Sequence, residues 1–394
     1  MNNSDFSFLE SFGLLSPELL SIGKGKKVVV GMSGGVDSSV TALILKAQGF
    51  EVIGLFMKNW DEEVDGQCPA EADFNDVELV CQSLDIPYYS LDFTKEYQQR
   101  VFDSFVEGYQ AGRTPNPDIL CNREIKFDVF FKAAMRLGAD YLATGHYCQT
   151  DGLHLLRGRD QSKDQSYFLH AIDASVLAEV LFPIGSLLKS DVRKIAEFYK
   201  LNVAKKKDST GICFIGERPF QQFLSQYVTS QKGPFVHLDS HKVLGPHAGA
   251  CFYTRGQRKG LGLGGPGGPW YVSGKDLVTN AVYVVEGENH PALFYQELFL
   301  DKVHWLTSQS SKNLVCKIRY RQADQECVLK NCGRGYQLTF SKEQRAPAIG
   351  QYVVFYQGDI CLGGGEITGL GPSLYERSLL VKNPDTQSLS HSLV

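Results

Sequence analysis

The strongest constraint on the fold is an apolar run that meets two glycines and then a helix-forming segment. Residues 28–30 are three consecutive valines, as expected for a buried strand, and residues 34–35 are both glycine. Beyond them, apolar residues recur at helical spacing through residues 36–47, until Gly49 ends the pattern. This order of strand, turn and helix predicts the α/β class, with a doubly wound parallel sheet.

The turn between that strand and helix is a predicted site for the phosphates of a nucleotide. Free N–H groups and the positive end of the helix dipole attract anions there, and glycines allow the backbone a close approach. The loop lacks the lysine of the common P-loop and carries Asp37 instead. A carboxylate beside phosphates suggests a bridging Mg²⁺ ion. The run Ser-Gly-Gly-Val-Asp-Ser-Ser at residues 33–39 resembles the PP-motif of the ATP pyrophosphatases, which cleave ATP between its α- and β-phosphates.

Composition argues against several classes of protein. With 394 residues and 43% hydrophobic content, the chain is long enough for two or three globular domains. The net charge of −4 does not indicate a general nucleic-acid binder, so RNA would have to meet a local basic patch such as Lys317, Arg319 and Arg321. Nothing suggests a membrane span, and residues 1–26 fit neither a transit peptide nor a secretory signal. We therefore expect a cytoplasmic protein.

Cysteine spacing speaks against a metal centre. Ten cysteines are scattered along the chain, and none forms a C-x-x-C pair. This argues against a zinc site, an iron–sulfur cluster or a disulfide framework. We predict no protein-bound metal centre, and any functional cysteine must be distinguished by its surroundings.

The sequence predicts an N-terminal extension and three domains. Apolar strands alternate with helices in the first half, whereas short β-like runs rich in glycine and proline begin at about residue 214. Later runs, at residues 314–320 and 352–356, suggest a small β-barrel. The predicted units are the extension at 1–26, a nucleotide-binding α/β domain at 27–213, a central domain at 214–292 and a C-terminal β-barrel-like domain at 293–394.

Two cysteines are candidates for chemistry. Pro117 can occupy the first position of a helix capped by Asn116, which places Asp118 and Cys121 on one face near the helix N-terminus. We expect a lowered thiol pKa and a nucleophilic Cys121 there, with Asp118 able to act on a proton. The second candidate, Cys213, lies between two glycines, in a loop that could move a thiol between solvent and a site. On spacing alone, Cys213 could equally fill a strand.

Six motifs occur in an order that resembles the tRNA-specific 2-thiouridylases, and the resemblance extends from about residue 27 to about residue 370. The motifs are Ser-Gly-Gly-Val-Asp-Ser-Ser (33–39), Gly-Leu-Phe-Met-Lys-Asn-Trp (54–60), Thr-Pro-Asn-Pro-Asp-Ile-Leu-Cys-Asn (114–122), Ala-Thr-Gly-His-Tyr (143–147), Lys-Asp-Gln-Ser-Tyr-Phe (163–168) and Gly-Ile-Cys-Phe-Ile-Gly (211–216). Single motifs occur in other PP-loop enzymes, but the ordered set is specific. Residues 1–26 and Arg255 depart from the family pattern, and we expect neither to touch the catalytic residues.

The resemblance implies a reaction and a role for each motif. ATP would adenylate the 2-oxygen of the wobble uridine in Lys, Glu and Gln tRNAs, and sulfur from a cysteine persulfide would displace AMP. Cys213 would carry the persulfide, received from a sulfur-relay protein or a cysteine desulfurase. Cys121 would release the sulfur by forming a transient disulfide with it, and Asp118 would be the acid/base. The residues implied to hold ATP are Gly31, Met32, Ser33, Gly34, Gly35, Val36, Asp37, Ser38, Met57 and Gly145. The residues implied to contact tRNA are Asn116, Pro117, Asp118, His146, Lys163, Asp164, Gln165, Arg319, Tyr320 and Gln351.

Two other functions compete with this interpretation. A PP-loop synthetase that adenylates a small metabolite, such as GMP or argininosuccinate synthetase, would not require both Cys121 and Cys213. An RNA-binding or sulfur-carrying module without turnover would not convert ATP to AMP in the presence of tRNA. The intact loop at residues 33–39 argues against this second alternative.

Overall fold

A five-stranded parallel sheet forms the framework of the first half of the chain, in a computed structural model that describes residues 6–60, 69–208, 220–264, 267–307 and 314–382. Its strands are β1 (Lys27–Met32), β2 (Glu51–Lys58), β3 (Tyr88–Asp92), β4 (Tyr141–Thr144) and, later in the chain, β7 (Val180–Leu181). Their order is β3-β2-β1-β4-β7. The chain therefore leaves β1 in one direction and returns on its other side at β4, which is the point where doubly wound sheets bind ligands.

Helices cover both faces of this sheet. Within β1, Val28 and Val30 pack into one hydrophobic core and Val29 into a second, as the alternation of side chains along a strand requires. The helices of this half are α1 (Ser7–Glu10), α2 (Pro17–Gly23), α3 (Val36–Ala47), α4 (Pro69–Leu84), α5 (Thr94–Tyr97), α6 (Asp103–Gln110), α7 (Pro117–Leu120), α8 (Phe131–Arg136), α9 (Ser166–Leu169) and α10 (Lys189–Phe198). Wider π-helical segments, Gln98–Phe102 and Cys121–Phe130, join α5 to α6 and α7 to α8. The predicted α/β class and doubly wound sheet are confirmed.

One predicted boundary is wrong by two turns. The sequence favours an acidic stretch through Asp76 and a helix only from Val77, whereas α4 begins at Pro69. Phe74 explains the difference, because its ring packs on Phe56 of β2 with the centroids 5.3 Å apart. Apolar contact with the sheet thus extends the helix through a segment whose composition alone reads as a loop.

The N-terminal extension packs against the nucleotide-binding domain. Leu9 and Leu14 are buried in the core that also contains the apolar face of α3. The ring of Phe8 stacks on Phe198 at the end of α10, with centroids 4.1 Å apart. The side-chain amide of Gln48 donates a 2.9 Å hydrogen bond to the carbonyl of Leu14. This amphipathic extension therefore behaves as part of the domain.

The second half of the chain is dominated by β-structure. After α11 (Phe220–Leu224), a four-stranded sheet has the order β10-β11-β8-β9. Its strands are β8 (Gly233–His237), β9 (Val243–His247), β10 (Trp270–Asp276) and β11 (Ala281–Glu286). A larger sheet follows, built from β12 (Phe294–Leu300), β13 (His304–Trp305), β14 (Val315–Lys317), β15 (Gln325–Asn331), β16 (Tyr336–Arg345), β17 (Tyr352–Gln357), β18 (Ile360–Glu366) and β19 (Gly369–Leu370). The last described element is α12 (Leu374–Lys382).

Two strands from the first half of the chain complete this larger sheet. They are β5 (Cys148–Thr150) and β6 (Leu155–Arg157), which form an antiparallel hairpin. Strand β6 then pairs with β18, with Leu155 opposite Cys361 and Leu156 opposite Ile360. The sheet consequently reaches ten strands and crosses the boundary between the α/β domain and the C-terminal domain. In the described part of the chain, no helix has the length and apolar character needed to span a membrane.

Candidate active site

The nucleotide loop lies between the end of β1 and the start of α3, as predicted. Gly34 has a φ of +69°, and a Cβ there would lie only 2.4 Å from the carbonyl oxygen of Asp73 on α4. The hydroxyl of Ser38 accepts a 3.2 Å hydrogen bond from the backbone N–H of Ser33 and thereby closes the turn. Glycine is thus required at residue 34, both for its left-handed backbone and for the contact with α4.

The end of β4 presses against the same loop. A Cβ on Gly145 would lie 2.8 Å from the backbone nitrogen of Ser38, which belongs to the first turn of α3. Met57 lies near the end of β2, the neighbour of β1 on its other side. The structure therefore brings the residues predicted to hold ATP to the carboxyl ends of three adjacent strands.

Asp37 is the centre of an ionic network that sequence reasoning missed. The ammonium group of Lys189 donates to both carboxylate oxygens of Asp37, at 2.7 and 2.8 Å, and the Tyr147 hydroxyl donates to one of them at 2.7 Å. Lys189 also forms a 2.8 Å ion pair with Asp208. Lys189 begins α10, 152 residues after Asp37, so no local signal links the two residues.

The carboxylate of Asp208 forms ion pairs with three cationic side chains. Lys163 and Lys189 each lie 2.8 Å from its carboxylate, and Arg193 lies 2.6 Å from it. Burial would raise the pKa of Asp208, but the hydrogen bonds from Lys163 and Lys189 outweigh burial and hold that pKa far below its usual range. Burial, and then the neighbouring charge of Asp37, raise the pKa of Tyr147, so its hydroxyl remains a donor.

The loop suits Mg²⁺ only in company with a phosphate ligand. The described residues contain no cluster of three or more His, Cys, Asp or Glu side chains arranged to hold a metal ion. Mg²⁺ in nucleotide sites commonly uses one or two carboxylates and completes its shell with phosphate oxygens and water. Asp37 can supply such a carboxylate, and its present counter-charge is Lys189.

The turn at residues 116–121 has the geometry that the sequence predicts. The side-chain oxygen of Asn116 accepts a 3.2 Å hydrogen bond from the backbone N–H of Asp118, and Pro117 opens α7. Burial raises the pKa of the Asp118 carboxyl, and the positive charge of Lys126 opposes part of that shift. Asp118 is therefore a stronger base than an exposed carboxylate.

Cys121 starts the π-helical segment Cys121–Phe130 and is only 2% exposed. It lies in the same hydrophobic core as Ile119 and Ile125. The nucleophilic character of Cys121 stays a prediction. Cys213, the other predicted cysteine, lies outside the described residues.

His146 lies between the end of β4 and the helical segment that begins at Cys121. Its Nδ1 lies 2.7 Å from the hydroxyl of Thr144, and its Nε2 lies 3.4 Å from the ammonium group of Lys126. Burial, reinforced by the charge of Lys126, lowers the pKa of His146 well below its usual value. The imidazole is consequently neutral at physiological pH.

The side chains of Asp164 and Gln165 tie the segment 163–165 to the neighbouring backbone. The carboxylate of Asp164 is inside the fold, where it accepts hydrogen bonds from the backbone N–H groups of Gly158 and Ser166 at 3.0 and 3.1 Å. The side-chain oxygen of Gln165 accepts a 2.9 Å hydrogen bond from the Tyr147 backbone. These two side chains therefore order the loop.

Of the three predicted tRNA residues in the C-terminal domain, Tyr320 and Gln351 contact the α/β domain and Arg319 does not. The Tyr320 hydroxyl donates a 3.0 Å hydrogen bond to the carbonyl of Lys163. The side-chain amide of Gln351 donates a 2.8 Å hydrogen bond to the carbonyl of Thr114, beside the 116–121 turn. Arg319 donates to the carbonyl of Ala346 within its own domain. The C-terminal domain thus contributes to the walls around the turn.

The fold and the loop define a HUP-domain protein of the PP-loop class. Residues 26–217 match the family described as "tRNA methyl transferase HUP domain". Residues 221–286 match "tRNA methyl transferase PRC-barrel domain", and residues 295–367 match "Aminomethyltransferase beta-barrel domain". The expected order of an α/β domain, a central domain and a C-terminal β-barrel is confirmed.

Curated relatives identify the family. The tRNA-specific 2-thiouridylase MnmA of Protochlamydia amoebophila is 52% identical over 361 residues, which cover 89% of this chain and 96% of that protein. The protein of the same name from Bacillus subtilis is 50% identical over 351 residues, covering 86% and 94%. The chain belongs to the family of tRNA-specific 2-thiouridylases.

The solved structure of a tRNA thiolase is much less similar. The U34-tRNA thiolase NcsA of Methanococcus maripaludis aligns with a TM-score of 0.37 and 18% identity, over 56% of this chain and 70% of that chain. The assignment to the family therefore rests on the sequence relatives.

Proposed function

We propose that this protein is an ATP-dependent sulfurtransferase that converts the wobble uridine of Lys, Glu and Gln tRNAs to 2-thiouridine. We also propose that the protein acts in the cytoplasm and receives its sulfur from a sulfur-relay protein or a cysteine desulfurase. Family membership supports the reaction. The structural observation that carries the proposal is the connection between the nucleotide loop and the 116–121 turn.

Three consecutive residues make that connection. Gly145 contacts the first turn of α3, and Tyr147 donates to Asp37 of the nucleotide loop. His146, between them, contacts Lys126 on the helical segment that begins at Cys121. An adenylating site and a sulfur-transfer site must share one bound uridine, and the segment 145–147 holds the two regions next to each other.

The first chemical step is adenylation. The uridine 2-oxygen attacks the α-phosphorus of ATP, and pyrophosphate leaves. The backbone N–H groups at the start of α3 and the ammonium group of Lys189 stabilise the phosphate charge. Mg²⁺, held by Asp37 and phosphate oxygens, would neutralise further charge on the phosphates. The modified oxygen then becomes a good leaving group, as part of AMP.

The second step is sulfur transfer. Asp118 takes or gives a proton at the reacting base, and the raised pKa of its carboxyl suits it to this role. The Cys121 thiolate attacks the Cys213 sulfur of the persulfide, a Cys121–Cys213 disulfide forms, and the terminal sulfur leaves to attack C2. AMP departs with the electron pair of the broken C–O bond. A thiol reductant restores the two cysteines before the next turnover.

A direct assay tests the proposal. Unmodified Glu tRNA is incubated with the protein, ATP, Mg²⁺ and sulfide, and 2-thiouridine, AMP and pyrophosphate are measured together. Equal amounts of the three products, all lost in Asp37→Asn, are expected. AMP formation that requires a small metabolite instead of tRNA would replace the proposal with a metabolite synthetase. Absence of AMP under every condition would leave a binding module.

A further inference from the structure

The residue two positions before the Asn116 cap is held by two other domains. The backbone N–H of Thr114 donates a 2.8 Å hydrogen bond to the carbonyl of Ile349, and the backbone carbonyl of Thr114 accepts a 2.8 Å hydrogen bond from the side-chain amide of Gln351. The hydroxyl of Thr114 lies 3.0 Å from the hydroxyl of Thr254 in the central domain. Both backbone polar groups and the side chain of Thr114 are therefore engaged by residues that lie far away in the sequence.

Gly350 allows this close contact between the C-terminal domain and Thr114. Its φ is +92°, and a Cβ there would lie 2.8 Å from the backbone nitrogen of Thr114. Glycine is the residue that tolerates both that backbone conformation and so close an approach. The backbone N–H of Gly350 donates to the carbonyl of Ile367 at 2.9 Å, and the N–H of Ile367 donates to the carbonyl of Gln351 at 2.7 Å. The 349–351 loop is thus itself fixed to the residue that follows β18.

An ion pair holds the residue before Thr114. The guanidinium of Arg113 lies 3.1 Å from the carboxylate of Glu366, the last residue of β18, and both side chains are partly exposed. A partly exposed ion pair contributes little to stability by itself, but it fixes the position of the two side chains relative to each other. Arg113 and Thr114 are therefore both attached to the C-terminal domain.

A short and stiff connection links Thr114 to the 116–121 turn. Pro115 alone separates Thr114 from Asn116, and its ring restricts the backbone. The side-chain oxygen of Asn116 accepts the hydrogen bond from the backbone N–H of Asp118. A shift of Thr114 would therefore also displace the Asp118 carboxyl. An error of about 1 Å in the position of a reacting group can lower a rate by about 10²-fold.

We propose that the 349–351 loop of the C-terminal domain positions the 116–121 turn for sulfur transfer. The inference rests on the proposed function and assigns Gly350 and Glu366 as positioning residues, which act through Thr114 and Arg113. A contact that only held the domains together would affect stability. A positioning contact also affects kcat and the ionisation of the Asp118 carboxyl, and these two quantities can be measured separately from stability.

Steady-state thiolation of unmodified Glu tRNA by the wild type, Gly350→Ala and Gly358→Ala tests the inference. Gly358→Ala is the matched control, because the φ of Gly358 is also positive, at +58°, but a Cβ there would meet nothing within 4 Å. In Gly350→Ala, kcat should fall about 10–100-fold while the KM for tRNA stays within about twofold of the wild type. The pH profile of kcat should shift to lower pH, because a displaced Asp118 carboxyl loses the burial that raises its pKa.

A second variant tests the same attachment in case Gly350→Ala fails to fold. Glu366→Gln removes the ion pair with Arg113 without adding bulk, so kcat should fall about two- to fivefold with an unchanged KM for tRNA. Glu343→Gln, at an exposed position on β16, is its control and should behave as wild type. The inference is overturned if the kcat values and pH profiles of Gly350→Ala and Glu366→Gln equal those of their controls. It is also overturned if the KM for tRNA alone rises, since the loop would then act on RNA binding.

Hydrogen–deuterium exchange separates this inference from the function on which it rests. The exchange of a peptide covering residues 113–121 is compared in the wild type, Gly350→Ala and Gly358→Ala. Faster exchange in Gly350→Ala alone supports the positioning contact even if the wild type forms no 2-thiouridine, in which case the proposed function fails by itself. Equal exchange in all three proteins would show that the 349–351 loop does not hold the turn.

Discussion

The nucleotide loop and the 116–121 turn are built by opposite means. In the loop, Asp37 is neutralised by Lys189 and by the Tyr147 hydroxyl, so charge is matched with charge. In the turn, burial raises the pKa of the Asp118 carboxyl, and Cys121 lies in an apolar core. The first arrangement balances charge beside the predicted phosphate site, whereas the second raises the pKa of a carboxyl for a chemical step. The two regions should therefore respond differently to the same kind of substitution.

Removal of the buried carboxylate should produce the largest effect. Asp118→Asn keeps the shape but removes the proton acceptor, so thiolation should fall by about 10²–10⁴-fold. The melting temperature should not fall, because a buried charge is exchanged for a neutral group. Asp128→Asn is the matched control. Asp128 lies on the same helical segment, Cys121–Phe130, and forms an ion pair with Arg100. Thiolation by Asp118→Asn at more than a tenth of the wild-type rate would contradict the role given to this carboxyl.

Removal of Lys189, the counter-charge of Asp37, should have the second-largest effect. Lys189→Met leaves Asp37 and Asp208 without their shared cation, so the KM for ATP should rise by about 10–100-fold, the equivalent of a charged hydrogen bond. Lys194→Met, on the exposed side of the same helix, should leave that KM unchanged. An unchanged KM in Lys189→Met would show that the ion pair is irrelevant to nucleotide binding.

A methyl group between the two regions should have a smaller effect. The Cβ in Gly145→Ala would meet the first turn of α3 at 2.8 Å, and such overpacking typically costs about 1–3 kcal/mol. We expect the KM for ATP to rise about tenfold, while Gly264→Ala, with open space around its Cβ, behaves as wild type. Equal KM values for both alanine variants would show that the close approach of β4 is not required.

The smallest effect should appear in the pH dependence of stability. His170 is fully buried, and burial lowers its pKa from 6.5 to about 4. The unfolded chain therefore binds a proton that the folded chain rejects, and stability should fall as the pH drops from 6.5 towards 4. The slope from this residue is at most about 1.4 kcal/mol per pH unit. Urea unfolding of His170→Gln should show a correspondingly shallower loss; an identical pH profile would contradict burial as the cause.

Sequence reasoning succeeds where the signal is local. The βα pattern around Val28, the capped turn at Asn116 and the glycine loop are each encoded within a few residues, so the fold class and the turn geometry follow from them. The early start of α4 was missed because the contact between Phe74 and Phe56 is tertiary.

Contacts of charged side chains with residues far away in the sequence could not be predicted. Lys189 reaches Asp37 only because α10 packs beside α3 in the folded chain. Arg157 meets Tyr356 only because β6 leaves the α/β domain and joins β18. Pairing of this kind depends on topology, so neither residue type nor spacing reveals it.

The central claim is that adenylation and sulfur transfer use separate sites, and its most direct test measures both half-reactions in the same tube. Pyrophosphate release and 2-thiouridine formation are followed with Glu tRNA, ATP and a persulfide-loading desulfurase, for wild type, Asp37→Asn, Cys121→Ser and Cys213→Ser. We predict that Asp37→Asn loses both products, whereas each cysteine variant still releases pyrophosphate but forms no 2-thiouridine. Full thiolation by both cysteine variants, or loss of pyrophosphate release in either one, would contradict separate sites for adenylation and sulfur transfer.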